Sequence, residues 1–174
     1  MEILIVGGAL VALMVYVSTR IKNSAASAFE REAVETADFS IIKPENFISP
    51  VSENSEFAFT ALSRDFGTGE AEEFKQAQVE LRILPNADFE EVYRAARQTA
   101  GKIISEETSE SVDEKICFLN GEKTENGIET ETFYKIIGSK TQNKIYELKI
   151  SVLSEYRENF LAAVNEFLNS FTVK

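Results

Sequence analysis

The sequence predicts an α+β domain with an antiparallel sheet, carried on a single N-terminal transmembrane helix. Three features of the 174 residues lead there. Ile3 to Val17 reads ILIVGGALVALMVYV, apolar and uncharged throughout. Beyond residue 38, segments alternating at period two are separated by short turns rich in Gly and Asn, the pattern of hairpins. Two further segments repeat at helical spacing, and the order β-β-β-α-β-β-β-α lets them cover a sheet.

With Ser18 and Thr19 the uncharged run reaches 17 residues. That is roughly 26 Å of helix, the lower limit for crossing the hydrocarbon core. Tyr16 suits the interface, and Arg20 and Lys22 can reach headgroups. The expected division is an anchor over 1–22, touching lipid through residues 3–19, a helical stalk over 23–37 and a soluble domain over 38–174. The stalk follows from IKNSAASAFEREAVETA, rich in helix formers and free of Gly and Pro. Both basic flanks lie after the anchor, so the positive-inside rule places the domain in the cytoplasm, with the outside as the alternative. A cleavable signal peptide, releasing a secreted domain after Ala28, would need a basic start; only Glu2 precedes the apolar run, and Ala26-Ser27-Ala28 lies far beyond it. A run this short also suits a buried core helix. Gly8 and Ala12 make a small-x-x-x-small pair that can bring two helices together, a pattern common by chance.

Net charge is −11, and of the 29 acidic and 18 basic residues only Glu2, Arg20 and Lys22 fall in 1–22. The remainder therefore carries −12, which repels phosphate, and no basic stripe interrupts it. Nucleic-acid binding is not expected. The chain has no histidine, which removes imidazole-based triads and metal sites. The one cysteine, Cys117, lies in the apolar run Ile116-Cys117-Phe118-Leu119, where burial keeps a thiol inert.

The elements follow in order. Phe39–Lys43 is a strand closed by Pro44, and Phe57–Ala61 is a short strand with alternating aromatics. In Gln78–Ile83, Val79, Leu81 and Ile83 share one buried face. Asp88 with Glu91 is a capping box opening a helix whose Phe89, Val92, Tyr93, Ala96 and Ala100 form one face, stopped by Gly101. Strands follow near Lys115–Leu119, Ile128–Ile137 and Lys144–Val152. Ser154 then caps a final helix over 155–170 carrying Phe160, Leu161, Val164, Phe167, Leu168 and Phe171 as an unbroken stripe that must lie on a sheet or a partner.

Two short motifs resemble the PsbP-like superfamily. Lys43-Pro44-Glu45-Asn46-Phe47 looks like the Pro-x-x-aromatic element that opens such domains. Tyr146-Glu147-Leu148, followed by a helix closing on Asn169-Ser170-Phe171-Thr172-Val173, is similar to their last strand and Ser-Phe-bearing helix. The order of elements matches over about residues 38–174. The resemblance implies an α/β/α sandwich, an antiparallel sheet with helices on both faces, and a non-enzymatic character. Extrinsic photosystem subunits, a binding factor for a small nuclear GTPase and many bacterial proteins share that character. The retained anchor and missing histidine depart from the photosynthetic members, so their cofactor residues do not carry over.

Several patterns imitate chemistry. Asp65-Phe66-Gly67 matches a kinase magnesium triplet, but the rest of a kinase is missing. Gly67-Thr68-Gly69 lacks the third glycine of a dinucleotide loop. Acidic residues gather at Glu70, Glu72 and Glu73, at Glu106, Glu107, Glu110, Asp113 and Glu114, and at Glu129 and Glu131, none with calcium-loop spacing. No catalytic, cofactor-binding or metal-ligating residue, and no cofactor, is therefore assigned. The expected function is a membrane-anchored, non-catalytic binding or assembly module with a protein partner. A carboxylate-based enzyme or divalent-metal-dependent sensor using the Glu106–Glu114 acids is the alternative.

Overall fold

In the computed structural model, Met14 and residues 27–50 and 56–174 are described. The expected anchor over 1–22 lies outside the described residues apart from Met14. Among those described, no helix is long and apolar enough to cross a membrane.

Among the described residues, ten strands and two helices follow in order: β1 (Glu32–Glu35), β2 (Phe39–Lys43), β3 (Phe47–Ile48), β4 (Phe59–Ser63), β5 (Ala77–Pro85), α1 (Phe89–Ala100), β6 (Lys102–Glu110), β7 (Glu114–Glu125), β8 (Ile128–Ser139), β9 (Lys144–Leu153), α2 (Arg157–Ser170) and β10 (Thr172–Val173). A seven-stranded sheet runs β3-β4-β5-β9-β8-β7-β6, and a small sheet runs β1-β2-β10. Every pairing is antiparallel.

Alternation along β8 and β9 sorts the core into two layers. Phe133 and Ile137, with Tyr146, Leu148, Ile150 and Val152, face α2 and the small sheet. Tyr134, Ile136 and Ile145 face α1 through Ala96 and Ala100. The large sheet thus carries a helix on each face, as an α/β/α sandwich requires.

Helix α1 starts as its sequence predicts: the Asp88 carboxylate accepts from the Glu91 N–H at 3.0 Å. Gly101 ends it with φ of 76°, a conformation L side chains rarely adopt. The stripe of α2 is buried at Val164, Phe167 and Phe171. Its C-terminal carbonyls of Leu168 and Phe171 accept from the buried Lys135 ammonium at 2.7 and 2.8 Å.

The two motifs behind the superfamily resemblance meet in space. Asn46 takes φ of 67° and turns the chain so that Phe47 enters the core. Ser170 Oγ accepts from the Ile42 N–H at 3.0 Å, and Thr172 and Val173 pair with β2.

Three expectations are corrected. The stalk over 23–37 is not a continuous helix, because Glu32–Glu35 form β1 against β2. That segment is tied down further: the buried Lys43 ammonium donates to the carbonyls of Ala28, Glu30 and Phe47, and the Asn46 N–H donates to Phe29 O. A buried lysine needs such acceptors, so Ala28, Phe29 and Glu30 are packed as part of the folded unit. Ser154 is not the helix cap; a 3-10 turn over Ser154–Tyr156 precedes α2, and Ser154 Oγ is buried without a hydrogen-bond partner among the described residues. Lys102–Glu110, left unassigned by the sequence, is the edge strand β6.

Candidate functional site

A single helix of 12 residues cannot cover the α1 face of the large sheet. Among the described residues, the part over β5, β8 and β9 stays open, and its polar positions line a groove. Across the β5–β9 ladder, Arg82 stands opposite Glu147 and Glu80 opposite Lys149. Each opposition is an ion pair. Arg82 donates from Nε and Nη2 to Glu147 Oε2 at 2.9 and 2.6 Å, and Lys149 lies 3.4 Å from Glu80. Glu147 is only 3% exposed, so the guanidinium is what makes a carboxylate tolerable there. Burial pulls against the charge on Arg82, but Glu147 and its hydrogen bond prevail and raise the Arg82 pKa.

With Phe57, Tyr134, Ala95, Ala96 and Thr99 these four residues enclose a cleft of about 180 Å³. A second cleft of about 290 Å³ shares Thr99 and Lys149 and continues over Phe74, Ile128, Thr130, Thr132, Ser151 and Leu153. A third of about 300 Å³ shares Ile128 and Leu153 and ends among Glu70, Glu129 and Glu155. Thr99 and Lys149 join the first two clefts into one groove over the sheet, and Ile128 and Leu153 link the third at its margin.

Its chemistry favours recognition over proton transfer. The four central charges neutralise one another, and Tyr134, 2% exposed, is driven by burial far above its ordinary pKa of 10.0, so its phenol stays protonated. That shift has a sign for stability. Above pH about 10 the unfolded phenol ionises while the folded one does not, so stability is intact below that pH and falls as it rises. Burial of Cys117 and Tyr146 acts in the same direction. We expect Tyr134→Phe to flatten the loss of stability between pH 10 and 11, measured by urea denaturation; an unchanged slope would rule Tyr134 out as its source.

The other sequence candidates disperse. Glu106 accepts from the Tyr93 hydroxyl and lies 3.8 Å from Arg97, whereas Glu110 pairs with Lys140 at 2.8 Å. Glu131 is buried and pairs with Arg157 at 2.6 Å, while Glu129 on the same strand is exposed. Among the described residues, no three or more acidic or thiol side chains are placed to hold a metal ion. Asp65-Phe66-Gly67 is a turn after β4, and Gly67 is needed there because a Cβ would meet Leu153 and Ala71 at 2.6 to 2.9 Å. Cys117 is buried, as expected of a structural thiol. Gly8 and Ala12 lie outside the described residues.

The Arg82–Glu147 and Glu80–Lys149 pairs went unremarked in the sequence. Their only signal is opposite charge at alternate positions of two long strands, and that becomes informative once the register is known.

No family model matches the chain, and no curated protein does. Solved structures do. LpqN of Mycobacterium tuberculosis, described as involved in cell envelope biogenesis, aligns with a TM-score of 0.59 at 11% identity, over 83% of this chain and 91% of that one. The cyanobacterial PsbP of Synechocystis aligns at 0.56 and 10% identity, over 84% and 94%. The Saccharomyces cerevisiae Ran-binding protein Mog1p aligns at 0.54 and 12% identity, over 83% and 96%. The fold is PsbP-like. At such identities the likeness concerns the backbone alone, and it extends over nearly the whole of each neighbour. In this chain the groove finds room because α1 packs mainly on β7 and β8.

Proposed function

We propose that the protein is a membrane-tethered, non-catalytic binding or assembly module that presents its acidic PsbP-like domain to a protein partner. One observation carries the reading: the groove is shallow and wide, and its central charges are committed to each other as Arg82–Glu147 and Glu80–Lys149. Such a surface offers shape and hydrogen bonds to a partner, whereas a carboxylate enzyme needs two acids facing one another across a substrate. A Ran-binding protein and an envelope-biogenesis protein among the structural neighbours support the same class. The tether rests on the uncharged run Ile3–Thr19, and the positive-inside rule applied to Arg20 and Lys22 supports a cytoplasmic domain.

Extraction tests the tether. Full-length protein should stay in the membrane pellet after alkaline carbonate, while a fragment beginning at Ser27 is soluble and folded. A fragment beginning at Ala33 would cut into β1 and remove two of the acceptors of Lys43, so it should be less stable. Full-length protein in the carbonate wash would end the tether reading.

A further inference from the structure

Among the described residues, strand β6 is the outermost strand of the large sheet and pairs on one side only, with β7. It is nine residues long and exposed everywhere but at Ile103, whereas the opposite edge strand, β3, has two residues. An open strand of this length presents a row of backbone donors and acceptors to whatever extended segment approaches it. Beside it, on the α2 face, lies a cleft of about 280 Å³ lined by Glu107, Phe118, Phe133 and Leu168. Phe118 stands directly across the ladder from Glu107 and is 37% exposed. Ile104 on the strand and Val112 in the turn after it are exposed as well. Backbone groups along an edge with a side-chain pocket one strand inward are the requirements for strand addition.

We propose that the β6 edge docks an extended segment of a partner protein that carries Lys or Arg with apolar residues two positions away on either side. The segment adds to the sheet as a further strand and, on the α2 face that Glu107 and Phe118 share, sets its cation against Glu107 and an apolar side chain beside it towards Phe118. Charge decides the occupant. Glu107 has no ion-pair partner among the described residues, and the chain carries −11 overall. A second copy pairing edge to edge would bring the glutamates of the two β6 strands against one another, and like charges across a ladder repel. The proposal rests on the reading of the domain as a protein-binding module and locates its contact.

The test uses the full-length protein in nonionic detergent with a fluorescent peptide as long as β6 in which Val and Lys take turns at every second position, with Ser between them. Anisotropy should report saturable binding, weakened roughly tenfold or more by Glu107→Lys. Methylating alternate backbone nitrogens of the peptide keeps its charge but removes half its donors, and should weaken binding at least as much. Amide exchange in residues 102–110 should slow when the peptide is bound. Equal affinity for the methylated peptide would overturn the proposal by reducing the contact to charge alone. Slowed exchange in the groove under α1 would also overturn it, leaving the binding-module reading in place. No binding, with no slowed exchange at either surface, would count against both. A dimer that protects β6 without peptide would assign the edge to a second copy and overturn it too.

Discussion

Replacing Phe167 by Ala is expected to remove about 3–5 kcal/mol of stability, the range for deleting a large buried aromatic. Phe167 is fully buried in α2, with its ring centroid 5.1 Å from that of Phe47 and 6.4 Å from that of Phe59. It therefore joins three separate pieces: the helix, the Pro44–Phe47 turn and strand β4 of the sheet. These contacts lie far apart in sequence, so collapse of one piece into the cavity would strain the other two. The loss should sit at the upper part of the range. Denaturant unfolding of the domain measures it, and a change below about 1 kcal/mol would mean that the stripe on α2 is not held against the sheet.

The second large effect is expected at the Arg82–Glu147 pair. Arg82→Leu leaves Glu147, 3% exposed, without its counter-charge. Removing one partner of a buried pair costs about 3–5 kcal/mol; because Arg82 is itself 39% exposed, water can take over part of its role and roughly 2–3 kcal/mol is the better expectation. The asymmetry is the diagnostic. Glu147→Leu leaves a half-exposed cation and should cost less than Arg82→Leu, while the double replacement should recover much of the single loss. Equal losses, adding in the double variant, would show that the two side chains do not act as a pair. Lys149 and Glu80 flank the pair on the next rung, so the cycle should be repeated in salt to separate their screened contribution.

Much of the fold was legible because its strongest signals are local. The capping box at Asp88 and Glu91, the stop at Gly101 and the alternation of β5 and β9 each report a physical requirement met within a few residues. The acids of Glu106–Glu114 were equally visible, but their significance was not. Sequence adjacency suggested a cluster, whereas the strand sends Glu106 towards Tyr93 and Arg97 and Glu110 towards Lys140.

Strand β6 was missed for a related reason. KIISEETSE is exposed along almost its whole length, so no face of it selects apolar residues and no period of two is written into it. Its extended form is imposed by the hydrogen bonds of β7. Likewise EAVE belongs to a segment of helix formers, and it becomes β1 because β2 offers a ladder and Lys43 gathers the preceding carbonyls. Tertiary pairing overrides weak propensity in both.

By itself, then, the sequence determined the class of the protein: an uncharged N-terminal run, an acidic domain without histidine, an antiparallel α+β order and an amphipathic closing helix. Only the tertiary structure decided where its working surfaces lie. The groove exists because α1 is too short to cover its face of the sheet, and the ion pairs within it depend on the register of β5 against β9. The open edge exists because β6 is last in the sheet order. Register and order are set by contacts between residues tens of positions apart, and no local pattern in the chain encodes them.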